Sequence, residues 1–163
     1  MEGQHKLKNI EVRDRLTITM VNPRENEEIS IISITDPGMN HPELGHVTGV
    51  NEILKLRFYD EESGDNTITM YDAIQIKHFV DDNINKVDTI YVNCDGGVSR
   101  SSAVAAALLK YIGLDDSKIW KNGKYSPNRL VYETLAIVLK LDCNTIEDNF
   151  EINLKAWKEL NDI

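Results

Sequence analysis

Apolar and polar positions fall into two regimes along this chain. In the first part, short β-branched runs, RLTITM (15–20), EISIISIT (28–35), ILKLRF (53–58) and TIYVN (89–93), are bounded by Asn, Pro, Gly or Asp. They are too short for helices and have the pattern of buried or half-buried strands. Between the last two, Ile68, Tyr71, Ala73, Ile74, Ile76, Phe79, Val80 and Ile84 recur near helical spacing, and Thr67 is placed to cap the first turn. This predicts a helix that crosses from one strand to the next. After Arg100 the pattern is helical: SSAVAAALLKYI stops at Gly113, a natural residue for a helix end. DSKIW predicts a short helix, PNRLVYETLAIVLKL a longer one with Asn128 as its N-cap, and TIEDNFEINLKAWKEL an amphipathic one. The apolar stripe of the last comprises Ile146, Phe150, Leu154, Trp157 and Leu160. Strands with a crossover, followed mostly by helices, predict an α/β fold with a central, mostly parallel twisted sheet of about four to five strands flanked by helices.

Composition narrows the function classes. The 163 residues suit one domain, 1–163, without internal repeat or linker, and large enough to bury a core without metals or disulfides. Lys and Arg number 18 against 27 Asp and Glu, a net charge of −9, so neither nucleic acid nor an anionic membrane is an expected partner. Any anionic ligand has to be held by a local positive site. The start, MEGQHKLKN, has no apolar segment, and nowhere do about 18 apolar residues run together, so a cytoplasmic location is the expectation. The two cysteines, Cys94 and Cys143, form neither a disulfide framework nor a zinc pattern. No cofactor and no metal is expected, and Cys143 reads as an ordinary thiol.

The candidate chemistry is concentrated in VNCDGGVSRSS. A buried-type strand ends at Asn93 and delivers Cys94; Asp95, Gly96, Gly97, Val98 and Ser99 then form a loop, and a helix begins near Arg100. The free N–H groups and positive dipole end of that helix start face the same region as the thiol, which makes the loop an anion cup. Such surroundings favour a thiolate nucleophile. Arg100 supplies a planar fork matched to two oxygens of a phosphoryl group. Ser101 has two readings, a donor to the Cys94 sulfur or a helix-start residue.

VNCDGGVSRSS resembles the Cys-x5-Arg-Ser/Thr signature of the cysteine-dependent protein tyrosine phosphatase superfamily, most closely its small dual-specificity-like members of bacteria and phages. SPNRLVY resembles the Pro-Asn element that follows the signature in dual-specificity phosphatases, so Asn128 has a second reading as a brace for the loop or a water. The resemblance argues against the low-molecular-weight class, whose signature lies at the extreme N-terminus. It implies a protein tyrosine phosphatase-like fold and binding of the phosphate by residues 95–100, with catalysis by Cys94, Arg100 and Ser101. One position departs from the pattern: Asn93 stands where the family has histidine, and it carries no positive charge.

Phosphoryl transfer to Cys94 expels an alkoxide or phenoxide that needs a proton. The family supplies an aspartate some thirty residues before the cysteine, and LRFYDEESGDN places Asp60 after a predicted strand at that distance. Asp60 is the first choice for the acid, with Asp65 and Asp36 as alternatives. Glu61 and Glu62 share its loop, which also reads as a solvated turn, and His41 reads as a surface or rim residue.

The expected function is hydrolysis of phosphotyrosine, with phosphoserine and phosphothreonine if the site is shallow, through a cysteinyl-phosphate intermediate. The partner is then a phosphorylated protein or a small phosphoester. The alternative is a phosphate-binding interaction module with little turnover. Arsenate reduction and rhodanese-type sulfur transfer rank lower. Inositol polyphosphates and RNA 5′ ends are disfavoured by Asp95 in a loop without lysine.

Overall fold

The computed structural model describes residues 4–163. Four parallel strands form one sheet in the order β1-β4-β2-β3, with β1 at Asn9–Arg13, β2 at Ile29–Thr35, β3 at Val50–Arg57 and β4 at Thr89–Asn93. Five helices follow or connect them: α1 (Met70–Asn83), α2 (Arg100–Tyr111), α3 (Ser117–Trp120), α4 (Arg129–Leu139) and α5 (Ile146–Asn161). The α/β architecture is the one the pattern predicts, and α1 is the crossover between β3 and β4.

Side chains alternate across the sheet and sort the two faces. Ile10, Val12, Ile32, Ile34, Ile90 and Val92 point into one core with the buried faces of α1, α2 and α4. Ile29 and Ile31 point the other way, against Ile18, Leu44 and Val47, so that face is closed by connecting segments and a short 3-10 turn and not by an α-helix. Central β2 is buried along its whole length, which explains its near-continuous apolar sequence. Among the described residues no helix is long and apolar enough to cross a membrane.

Three sequence expectations are corrected here. The run 15–20 is not a strand: the Asp14 carboxylate accepts the N–H groups of Leu16 and Thr17 at 2.9 and 2.7 Å and turns the chain into a 3-10 helix at Thr17–Met20. The first strand is instead β1, whose two inward apolar residues, Ile10 and Val12, alternate with polar ones. The cap of α1 is Thr69 and not Thr67, because Thr69 and Asp72 exchange side chain-to-backbone bonds in a capping box. On α5, Leu154 and Leu160 face solvent, while Ile146 and Asn153 are buried and Phe150 joins Trp120 and Tyr132 in edge-to-face contacts. Asn153 takes part in that packing because its Nδ2 donates to the Tyr125 carbonyl at 2.8 Å. Helix α2 ends as expected, with Gly113 at φ +80° after the cap residue Ile112.

Parallel strands bring all four carboxyl ends to one edge of the sheet, where open α/β sheets bind ligands. The segments leaving that edge begin at Asp14, Asp36, Phe58 and Cys94.

Candidate active site

Cys94 follows the last residue of β4 and is buried, with Sγ 3.0 Å from Ser101 Oγ. Of the two readings of Ser101, this contact favours the sulfur partner. The loop from Asp95 to Ser99 is fixed from outside through its carbonyls. Asp95 O accepts from Arg15 N at 3.1 Å, Val98 O from Ser126 N at 3.0 Å, and Ser99 O from Asn128 N at 3.1 Å. Ser102 Oγ also donates to Val98 O and Ser99 O. Among the described residues no hydrogen bond uses an N–H of residues 95–99. A loop with its carbonyls committed outward and its donors unspent is suited to an oxyanion.

Gly97 makes this shape attainable. It has φ +64°, and a Cβ there would meet Asp14 N at 2.8 Å and the Arg13 carbonyl carbon at 2.9 Å. The loop therefore rests directly on the backbone at the end of β1. Gly97→Ala is expected to cost about 3 kcal/mol from left-handed strain and overpacking. A urea-unfolding midpoint equal to that of the unchanged protein would contradict this seat.

Arg100 is buried at the start of α2. Its Nη1 donates to Asp36 Oδ1 and to the Phe58 carbonyl, both at 2.7 Å, and its Nη2 to Asp95 Oδ2 at 3.4 Å. Its Nε is buried and, among the described residues, has no hydrogen-bond partner. Buried donors are rarely left unpaired, so this nitrogen is the strongest local indication of an anion site. Asp36, an alternative acid on sequence grounds, is instead bound to the arginine. Asp65 makes no contact with the loop among the described hydrogen bonds, whereas Asp60 does. Asp60 Oδ1 accepts from Ser99 Oγ at 2.7 Å and from Asn128 Nδ2 at 2.9 Å.

Asn128 caps α4, the first of its two sequence readings, and its side-chain amide turns toward the Asp60 segment. Its Oδ1 caps α4 by accepting from Val131 N at 3.0 Å, while its Nδ2 holds Asp60 and the Glu61 carbonyl. Glu62 accepts from Arg129 N at 3.1 Å, so part of the acidic turn docks on the N-terminus of α4.

Asn93 and His41 lie buried near the site, and the second differs from the sequence reading. Asn93 is buried and its Oδ1 has no partner, so this carbonyl oxygen makes none of the backbone bonds open to an amide. His41 is not a rim residue: it is 8% exposed, its Nδ1 lies 3.0 Å from Ser33 Oγ, and its Nε2 has no partner. Burial, then Arg57, Lys55 and Arg15, lower its pKa from 6.5 to about 4, with Asp95 opposing. The native state thus keeps His41 neutral where the unfolded chain takes up a proton. Its contribution is fully present above about pH 6.5 and is lost as the pH falls toward 4. Between pH 7 and pH 5 the protein is expected to lose about 2 kcal/mol through this group. Urea unfolding of His41→Gln at both pH values checks this, since the variant should lack that part of the slope; an unchanged slope would refute it.

Sequence reasoning missed Arg15. Its Nη1 donates to Thr35 Oγ1 at 3.2 Å and reaches Asp95 Oδ1 at 3.4 Å, and its Nη2 donates to the Asn40 carbonyl. The signal was β1 itself: once Asn9–Arg13 is recognised as a strand, Arg15 falls in the loop at its carboxyl end.

No family model matches this chain, and no curated protein matches it. Among solved structures, the human tyrosine phosphatase-like serine/threonine/tyrosine-interacting protein is similar, with a TM-score of 0.58 and 15% identity over 83% of this chain and 94% of that one. PTPMT1 in complex with PI(5)P is similar with a TM-score of 0.52 and 16% identity over 94% of this chain and 97% of that one. With its parallel sheet, five helices and strand-loop-helix from Thr89 to Tyr111, the chain has the α/β fold of the protein tyrosine phosphatase-like proteins.

Proposed function

We propose that the protein is a metal-independent phosphomonoester hydrolase that acts on phosphotyrosine, with Cys94 as nucleophile, Arg100 as phosphate ligand and Asp60 as acid and base. The observation that carries this reading is the docking of Asp60 on the loop between Cys94 and Arg100, through Ser99 Oγ at 2.7 Å. An inert turn has no use for a carboxylate held there, and sulfur transfer requires none.

In the first step the Cys94 sulfur attacks phosphorus. The S–P bond forms as the P–O bond to the leaving group breaks, and Asp60 Oδ2 gives its proton to the departing oxygen. Unspent N–H groups of the loop and Arg100 Nε and Nη2 stabilise the equatorial oxygens. Asp60 then takes a proton from water, whose oxygen attacks phosphorus. The S–P bond breaks, orthophosphate leaves, and Ser101 Oγ stabilises the returning thiolate.

Beside the loop lies an open cleft of about 540 Å³ lined by Leu16 and Pro42 together with the charged Asp14, Arg15, Glu43 and Asp95. Leu16 and Pro42 offer apolar surface to an aromatic ring, which supports phosphotyrosine. PTPMT1 was crystallised with the phosphoinositide PI(5)P; in this chain the carboxylates of Asp36 and Asp95 on Arg100 disfavour a densely anionic substrate. The same two carboxylates, with the unpartnered Asn93 Oδ1, favour the second reading, a phosphate-binding module with little turnover. Assay of p-nitrophenyl phosphate and phosphotyrosine from pH 5 to 8 separates the two readings. Hydrolysis supports the enzyme, and phosphate binding without hydrolysis supports the module.

A further inference from the structure

We propose that Asp95 is an internal competitor for the phosphate site and that Arg15 is a positioning residue that restrains it, so that this pair sets how tightly the loop takes a phosphoryl group. The proposal rests on the reading of the Cys94–Arg100 loop as a phosphate site.

Arg100 has one saturated nitrogen and two available ones. Nη1 is occupied by Asp36 and the Phe58 carbonyl at 2.7 Å each, and both bonds are short. A tetrahedral oxyanion forked by this guanidinium must therefore use Nε, which has no partner, and Nη2, which carries only Asp95 Oδ2 at 3.4 Å. The anion and Asp95 share a nitrogen, and two negative groups on one donor repel. Asp95 has to be drawn off Arg100 as the phosphoryl group enters.

Arg15 is placed to do this. Asp95 Oδ1 already lies 3.4 Å from Arg15 Nη1 and 3.3 Å from Thr35 Oγ1. All three contacts of the carboxylate are long, so it exchanges partners easily. Arg15, by contrast, is anchored independently of that carboxylate: its guanidinium donates to Thr35 Oγ1 and the Asn40 carbonyl, and its N–H to the Asp95 carbonyl. It stays in place when the carboxylate moves. Without Arg15, Arg100 is the one cation left in contact with the Asp95 carboxylate among the described residues.

Titration of inorganic phosphate into four proteins at fixed pH and ionic strength tests the idea. Asp95→Asn should tighten binding about fivefold and Arg15→Gln weaken it about fivefold. In the Arg15→Gln, Asp95→Asn double variant the Arg15 effect should vanish, leaving affinity within about twofold of Asp95→Asn alone. A purely structural or long-range role for Arg15 predicts the same loss in both backgrounds, and that result, or no tightening in Asp95→Asn, overturns the proposal. Circular dichroism reports folding, and the equally uncharged Arg15→Met replaces Arg15→Gln in both backgrounds should the latter not fold.

Turnover of p-nitrophenyl phosphate is measured in parallel. Coupling without turnover supports the proposal and removes the hydrolase reading, whereas turnover without coupling removes the proposal alone. Absence of both phosphate binding and turnover in all four proteins removes both.

Discussion

Cys94→Ser is expected to lower turnover of p-nitrophenyl phosphate on the order of 10⁵-fold while leaving the affinity for orthophosphate within about threefold. The two halves of this result have separate causes. Serine is nearly isosteric and retains a hydrogen-bonding atom where Sγ meets Ser101 Oγ at 3.0 Å, so the cup, pinned through the carbonyls of Asp95, Val98 and Ser99, keeps its shape. Its anion donors, the loop N–H groups and Arg100, are untouched. What disappears is the nucleophile, because an alcohol without a base beside it is not ionised at neutral pH. Continuous absorbance assays and calorimetric titration of phosphate give the two quantities. Turnover close to that of the unchanged protein would place the chemistry away from this loop.

The second large effect is expected at Asp60 and depends on the leaving group. Asp60→Asn preserves an oxygen that can accept from Ser99 and Asn128 and removes the carboxyl group proposed as the proton donor. p-Nitrophenolate departs readily without protonation, so its ester should lose only about tenfold, whereas phenyl phosphate or phosphotyrosine should lose on the order of 10³-fold. Equal losses for all esters would make Asp60 a purely structural tether, and the assignment of the acid would fall.

Legibility in the sequence followed the range of the interactions. TIYVNCDGGVSR could be read because its strand, glycines, cysteine and arginine are local in the chain, and α2 ends where Gly113 says it should. Asp60 was reachable by counting from Cys94, yet its docking on Ser99 and Asn128 joins segments 39 and 68 residues apart, which no local pattern shows. Asp36 on Arg100 spans 64 residues and was hidden for the same reason. The misreading of 15–20 has a different origin. Thr17, Ile18 and Thr19 are good strand residues, but a single upstream carboxylate, Asp14, captures two N–H groups and overrides propensity. That error concealed β1, and with β1 the loop that carries Arg15.

The seat of Gly97 on the backbone of Arg13 and Asp14 has a thermodynamic consequence. An edge strand is ordinarily the first part of a sheet to fray, and β1 is held on one side only, by β4. Here fraying would take away the floor under the loop proposed to hold the anion, so strand and loop are expected to open together. By linkage, an oxyanion bound there would also raise the free energy needed to peel β1 from the sheet, and the margin of the fold would then report occupancy of the loop.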